Sequence, residues 1–226
     1  MLQFSAAFAL FLALHSVPAL PAVRENIIRR TGRPLYFAVY SAVSVIALVW
    51  VFSAALSLDY VPLWDLKPWH AAITFVMAPV GVFLVLAGLF SRNPLSVSIR
   101  SSGTPAAISR LTRHPVLWGF AFWAIGHIAA NGDLRSLVLF GGLALFSLGS
   151  MPMIEKRARR RLGPWWERLA DKTSIIPFSA VLRGSPLRID RPMAVAILVT
   201  AMTTAWLLFG GGHAMLVGAD PVSIFL

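Results

Sequence analysis

Long apolar runs separated by short, mostly basic connections set the pattern of this chain. A run that crosses hydrocarbon as a helix needs about 20 residues. Six runs approach that length: residues 2–21, 35–57, 71–90, 115–130, 137–154 and 193–209. The fourth is the shortest, which suggests a thin or partly buried span. The pattern predicts an all-α fold, a polytopic membrane helical bundle of six transmembrane helices, forming a single integral membrane domain over residues 1–226. Pro18, Pro21 and Pro79 are expected to bend their helices, because each removes a backbone donor.

The connections alternate in charge. The first carries Arg24, Arg29, Arg30 and Arg33, and the third carries Arg92, Arg100, Arg110 and Arg113. The fifth, residues 155–191, holds ten Lys/Arg against four acids, whereas the even connections hold only Lys67 and Arg135. Positive charge concentrates on the cytoplasmic side, so the odd connections are expected there and both termini outside. No Lys or Arg precedes Arg24, so the basic start of a cleaved signal peptide is missing and none is expected. Trp64, Trp69 and Trp118 stand near span ends, as in an aromatic belt. Gly142 and Gly149 lie on one face of the fifth run, where a neighbouring helix could approach closely. The basic block 155–168, with Trp165 and Trp166, is expected to lie along the cytoplasmic surface. Asn131-Gly132-Asp133 reads as a tight turn between the fourth and fifth helices.

Composition agrees with this plan: 58% of residues are hydrophobic and 13% charged. The net charge of +11 invites a nucleic-acid reading. That reading fails, because the basic residues flank apolar runs, where they fix topology and meet anionic lipid headgroups. The expected partner is a bilayer containing anionic lipids, with no nucleic acid. Cysteine is absent, which excludes disulfides, thiolate metal sites, iron–sulfur clusters and cysteine nucleophiles. Any metal would have to use histidine, methionine, carboxylate or a cofactor ring.

Two of the five histidines, His15 and His127, lie deep inside apolar runs. An imidazole in hydrocarbon is costly without a partner, so intramembrane ionisable groups are candidates for function. Counting rise along continuous helices puts His15 about 12–14 Å from Arg24 and His127 about 20 Å from Arg113, at comparable depths. Each could simply bond a backbone carbonyl or a nearby hydroxyl such as Ser16 or Ser44. Together they could share one metal or one haem, and with no intramembrane Asp or Glu a haem suits them better than a bare ion. His70, His114 and His213 sit at the ends of apolar runs.

The same residues carry a resemblance. Leu14-His15-Ser16, Arg24, Gly32-Arg33-Pro34-Leu35-Tyr36 and Tyr40-Ser41 resemble the NnrU family. So do Arg113-His114-Pro115, Trp118-Gly119, His127, Asn131-Gly132-Asp133, Arg161-Leu162-Gly163 to Trp166, Thr173-Ser174 and Pro177-Phe178. The resemblance covers roughly residues 1–182. It implies a multi-pass protein of the bacterial inner membrane, linked to the expression or activity of nitrite and nitric oxide reductases in denitrification. The family is similar to 15-cis-zeta-carotene isomerase, a membrane haem b enzyme acting on a lipophilic cis polyene. Carried over, its haem-associated histidines are His15 and His127, which would bind haem b iron. Arg24 could pair a haem propionate, although a topology charge accounts for it equally well. The isomerase has a cysteine three residues before the second histidine; here Ala124 stands in that place, so a Cys/His ligand switch is impossible. A redox partner is the alternative to a lipophilic substrate.

A second, more distant resemblance competes. Arg113-His114-Pro115, followed by Glu155, Leu162-Gly163 and Trp166, looks like the C-terminal part of isoprenylcysteine carboxyl methyltransferases and phospholipid methyltransferases. It implies S-adenosylmethionine held by Arg113, His114 and Glu155 at the cytoplasmic face. Against it, Trp165 and Trp166 replace a tyrosine-rich pattern. In the plainer reading Arg113 sets topology, His114-Pro115 starts a helix, and Glu155 pairs a nearby arginine.

Overall fold

The structure is a computed structural model that describes residues 1–16 and 21–225. The described residues form eleven α-helices and a short 3-10 turn, with isolated bridges but no β-strand. The all-α expectation therefore holds. The chain divides into two compact units: Met1–Leu63 with Asp133–Leu139, and Trp64–Gly132 with Phe140–Leu226.

The first unit contains α1 (Leu2–Ser16), α2 (Pro21–Thr31) and α3 (Arg33–Leu56), and α1 packs on α3. The buried positions, Phe4, Ala7 and Phe11 on α1 and Ala47, Val51, Ala54 and Ala55 on α3, recur at helical spacing. The rest of α3 stays apolar and exposed, as at Val45, Ile46 and Val49. That is the surface a lipid-facing helix presents. The first expected span, residues 2–21, is described as α1, ending at Ser16, with α2 opening at Pro21. Proline fits the first position of a helix, where its missing N–H costs nothing. Pro18 lies outside the described residues, as do the other residues between the two helices.

The second unit is built on a close antiparallel pair, α4 (Pro68–Phe90) and α6 (Pro115–Asn131). Their contact is set by glycine. A Cβ on Gly119 would lie 2.5 Å from the Gly81 carbonyl oxygen, and one on Gly81 equally close to that of Gly119. Gly88 meets Pro115 and Val116, and Gly126 meets Met77. Small residues let helix backbones approach where lipid supplies no hydrophobic drive. The Thr74 hydroxyl adds a bond to the Gly126 carbonyl at 2.7 Å. The close approach predicted at Gly149 is absent, because a Cβ there would meet nothing within 4 Å. Pro79 lies inside α4, which continues on both sides of it.

Short helix α5 (Ile108–Leu111) precedes α6, and α10 (Arg191–Phe209) packs on α4. Leu84, Ala87, Ile108, Leu111, Met193 and Ala196 form a core there, with Phe83, Trp118 and Phe122 against it. Helix α7 (Leu134–Leu162) begins in the first unit and continues in the second. It runs unbroken through the start of the basic block, which is therefore not a separate surface helix. Glu, Lys, Arg and Ala are strong helix formers, and they extend the helix after its apolar stretch ends. Gly163, at φ +54°, terminates α7, and α8 (Trp165–Ala170) follows. Helices α9 (Ser179–Leu182) and α11 (Gly212–Val217) are short.

Among the described residues four helices, α3, α4, α7 and α10, are long and apolar enough to cross a membrane. The other two expected spans are the helices α1, with 15 residues, and α6, with 17.

Gly119→Val should destabilise the protein by about 1–3 kcal/mol or more, since the added carbons would press on the Gly81 carbonyl oxygen and on the backbone N and Cγ2 of Val85. Gly149→Ala should be neutral or stabilise by up to about 1 kcal/mol. Unfolding in detergent compares the two; equal behaviour would contradict the packing described.

Candidate functional site

The second unit holds a buried charged cluster at the start of α6. Arg113 and His114 immediately precede the helix, and Glu155 comes from α7. Arg113 Nη1 donates to Glu155 Oε2 at 2.8 Å, and His114 Nε2 donates to Oε1 at 3.0 Å. Both carboxylate oxygens are thus engaged, each by a different partner. The residues are 8%, 0% and 6% exposed for Arg113, His114 and Glu155. Charges this deep are tolerable only when paired and hydrogen-bonded throughout.

The rest of the cluster meets that condition. Arg113 Nε donates to the Thr173 hydroxyl at 2.8 Å, and its guanidinium sits over the Trp166 ring at 5.1 Å. His114 Nδ1 bonds the Ser96 hydroxyl at 2.7 Å. The buried Asn93 amide donates to the Arg113 carbonyl at 3.0 Å, and the Arg113 N–H donates to the Ser174 carbonyl. Arg161 reaches from α7 to the Pro94 carbonyl. Phe178, at φ +64°, holds an unusual left-handed conformation for a bulky residue, with its N–H on the Leu111 carbonyl at 2.8 Å. One side-chain network therefore ties α7, the segment before α5 and the segment after α8 to the beginning of α6.

Sequence reasoning singled out Arg113, His114 and Glu155, and the structure brings those three together. It missed Asn93, Ser96 and Thr173 as their supports. Asn93-Pro94 was a legible turn signal, but nothing in the spacing links that turn to residues in other loops. Chemically the cluster is closed. Its donors and acceptors face one another, so it acts as a clamp and not as an exposed acid or base.

The two intramembrane histidines lie one in each unit. His15 Nδ1 bonds the Phe11 carbonyl at 2.8 Å, and its ring packs 4.2 Å from that of Phe11 and 6.0 Å from that of Tyr40. His127 Nδ1 bonds the Trp123 carbonyl at 2.7 Å, with the Trp123 ring at 4.4 Å and the Phe140 ring at 5.1 Å. Each ring therefore donates from Nδ1 to the carbonyl one turn back. That bond fixes the tautomer and makes Nε2 the lone-pair nitrogen, the arrangement by which ligating histidines are oriented. Both rings sit among aromatic side chains, a suitable wall for a porphyrin. Among the described residues no three His, Asp or Glu side chains group to hold a bare metal ion.

The remaining candidates have local roles. Arg24, on α2, places its guanidinium 5.7 Å from the Phe37 ring centre. The His70 ring accepts the Lys67 N–H at the start of α4, and His213 bonds the Ala219 carbonyl. Gly132, at φ +65°, makes the turn after α6, and Asp133 accepts the Ser136 N–H at 3.0 Å and pairs with Arg135. Trp118 donates to the Ile175 carbonyl at 2.8 Å.

The NnrU protein family matches residues 3–221, and the chain belongs to that family. The match continues through α10, beyond the residues that carried the resemblance. Two curated relatives are similar over a shorter stretch: 15-cis-zeta-carotene isomerase, chloroplastic, from Arabidopsis thaliana and its counterpart from Zea mays. Each is 31% identical over 77 residues, which is 34% of this chain and 21% of the relative. The matched stretch thus spans about a fifth of the relatives' length. No solved structure matches the chain.

Glu155→Ala should cost about 3–5 kcal/mol, because it leaves the Arg113 guanidinium buried without its carboxylate. Glu167→Ala, on exposed α8, should change stability by less than about 0.5 kcal/mol. Chemical denaturation in detergent measures both, and an equal effect would show that the cluster holds nothing in place.

Proposed function

We propose that this chain is a membrane haem b protein of the bacterial inner membrane, in which His15 and His127 would hold the haem iron, with a role in the redox chemistry that supports nitrite and nitric oxide reduction. The observation that carries the reading is the shared tautomer. Two histidines in apolar helices each donate Nδ1–H to a carbonyl, which turns Nε2 into the ligating nitrogen. Among the described residues, no group of three His, Asp or Glu gathers as zinc would require. Bound there, haem would supply one-electron redox chemistry. The protein's part is orientation: the carbonyl bonds hold the rings, and the aromatic neighbours exclude water. Arg24 is the proposed propionate partner. Arg113 and His114 act at a distance, by clamping the start of the helix that carries His127.

A second reading is favoured by the similarity to the zeta-carotene isomerases: isomerisation of a cis polyene or a comparable lipophilic substrate. For that chemistry the haem would have to be held by only one of the two histidines. Ala124 is fully buried and offers no replacement ligand. S-adenosylmethionine binding at Arg113, His114 and Glu155 is the weaker proposal, since those groups are engaged with one another.

The test is the visible spectrum of purified protein, made with haem supplied, in oxidised and dithionite-reduced forms. Wild type should show a Soret band with reduced α and β bands, and His15→Ala and His127→Ala should each lose or shift them. Conversion of 15-cis-zeta-carotene only by reduced wild-type protein would select the second reading. Wild type without haem would sink both.

A further inference from the structure

We infer that one anionic phospholipid binds a defined groove on the second unit, with its phosphate held by Lys156 and Arg160 and an acyl chain lying along the apolar half of α7. The groove measures ≈ 640 Å³; along α7 it is lined by Leu148, Met151 and Pro152 and then by Lys156, Arg159 and Arg160, with Ile175 lining it from another segment. Its composition follows from helical spacing. Leu148, Pro152, Lys156 and Arg160 stand four apart, so they share one face of α7. That face changes from apolar to cationic where the membrane-length run ends. From Leu148 to Arg160 it is about 18 Å long, enough for a headgroup and most of one leaflet's chain.

The opposite wall is fixed. The Ile175 carbonyl accepts both the Thr112 hydroxyl at 2.9 Å and the Trp118 indole N–H at 2.8 Å, which pins the residue that faces α7. The charge balance favours an anion. Glu155 also borders the groove, but its carboxylate is engaged by Arg113 and His114. Arg159 stacks on Trp166 at 4.0 Å and lies 4.0 Å from Glu155. Lys156 and Arg160 are exposed and form no ion pair among the described residues. A lipid phosphate complements them, and the apolar walls distinguish a lipid from a free anion.

The experiment compares wild-type protein with Lys156→Gln/Arg160→Gln. Both substituted residues are exposed and Gln is a good helix former, so the fold should be kept; an unchanged unfolding midpoint in lipid-free detergent checks this. Delipidated protein is titrated with dioleoylphosphatidylglycerol, with dioleoylphosphatidylcholine and with inorganic phosphate, and bound lipid is counted by native mass spectrometry. Wild type should retain one phosphatidylglycerol, and the double variant should bind it at least about tenfold more weakly. Ile175→Asp, which leaves the cations in place, should weaken it as well. Equal binding by wild type and the double variant overturns the inference, as does equal retention of phosphatidylcholine. Displacement of the lipid by equimolar inorganic phosphate would reduce the groove to a simple anion site and overturn it too.

Discussion

The carboxylate of Glu155 is the point on which the second unit's basic end depends. It stands on a membrane-length helix, just past the apolar stretch, and it is buried. A lone charge there would be costly, so the fold must deliver hydrogen-bonding partners to it. Arg113 and His114 come from adjacent positions before α6, and each takes one oxygen. Once they are committed, their remaining polar groups need partners, and Thr173, Ser96 and Ala170 supply them. One buried charge thus dictates how three separate chain segments meet.

The consequences run along the helices. The clamp fixes where α6 starts, and the glycine contacts with α4 fix how closely it lies against its neighbour. His127 is carried by a helix restrained at its beginning and along its length. Rigid support of this kind is what a metal ligand needs, since a functional group is only as well placed as the shell behind it. The same engagement of Glu155 leaves Lys156 and Arg160 without an ion pair among the described residues, beside apolar surface. A structural requirement inside the unit thereby shapes the chemistry of the groove along α7.

Much of the fold was legible in the sequence, because hydropathy over a long window depends on composition and tolerates local error. All six apolar runs appear as helices, and the alternating charge marked their connections. The ends were less legible. The helix predicted to stop near Ile154 continues to Leu162, since Glu, Lys and Arg end a hydropathy signal without ending a helix. Proline misled in the opposite sense, with Pro21 beginning a helix. Glycine spacing was ambiguous: Gly142 and Gly149, Gly81 and Gly88, and Gly119 and Gly126 all lie seven apart, and spacing alone does not say which pair faces a neighbour. At the clamp, Arg113, His114 and Glu155 were visible as a motif. Asn93 and Ser96 were not, and Thr173 was visible only within the Thr173-Ser174 pair and not as a partner of Arg113, because all three come from loops, where no periodicity records long-range pairing.

Whether this membrane protein carries one haem b on two histidines is decided by low-temperature electron paramagnetic resonance of the oxidised protein, with haem content per chain from its pyridine haemochrome. One haem b per chain and a low-spin ferric signal of bis-imidazole type are expected. A high-spin signal would rule out the His15 and His127 pair, and a chain folded in detergent with no haem would rule out haem binding altogether.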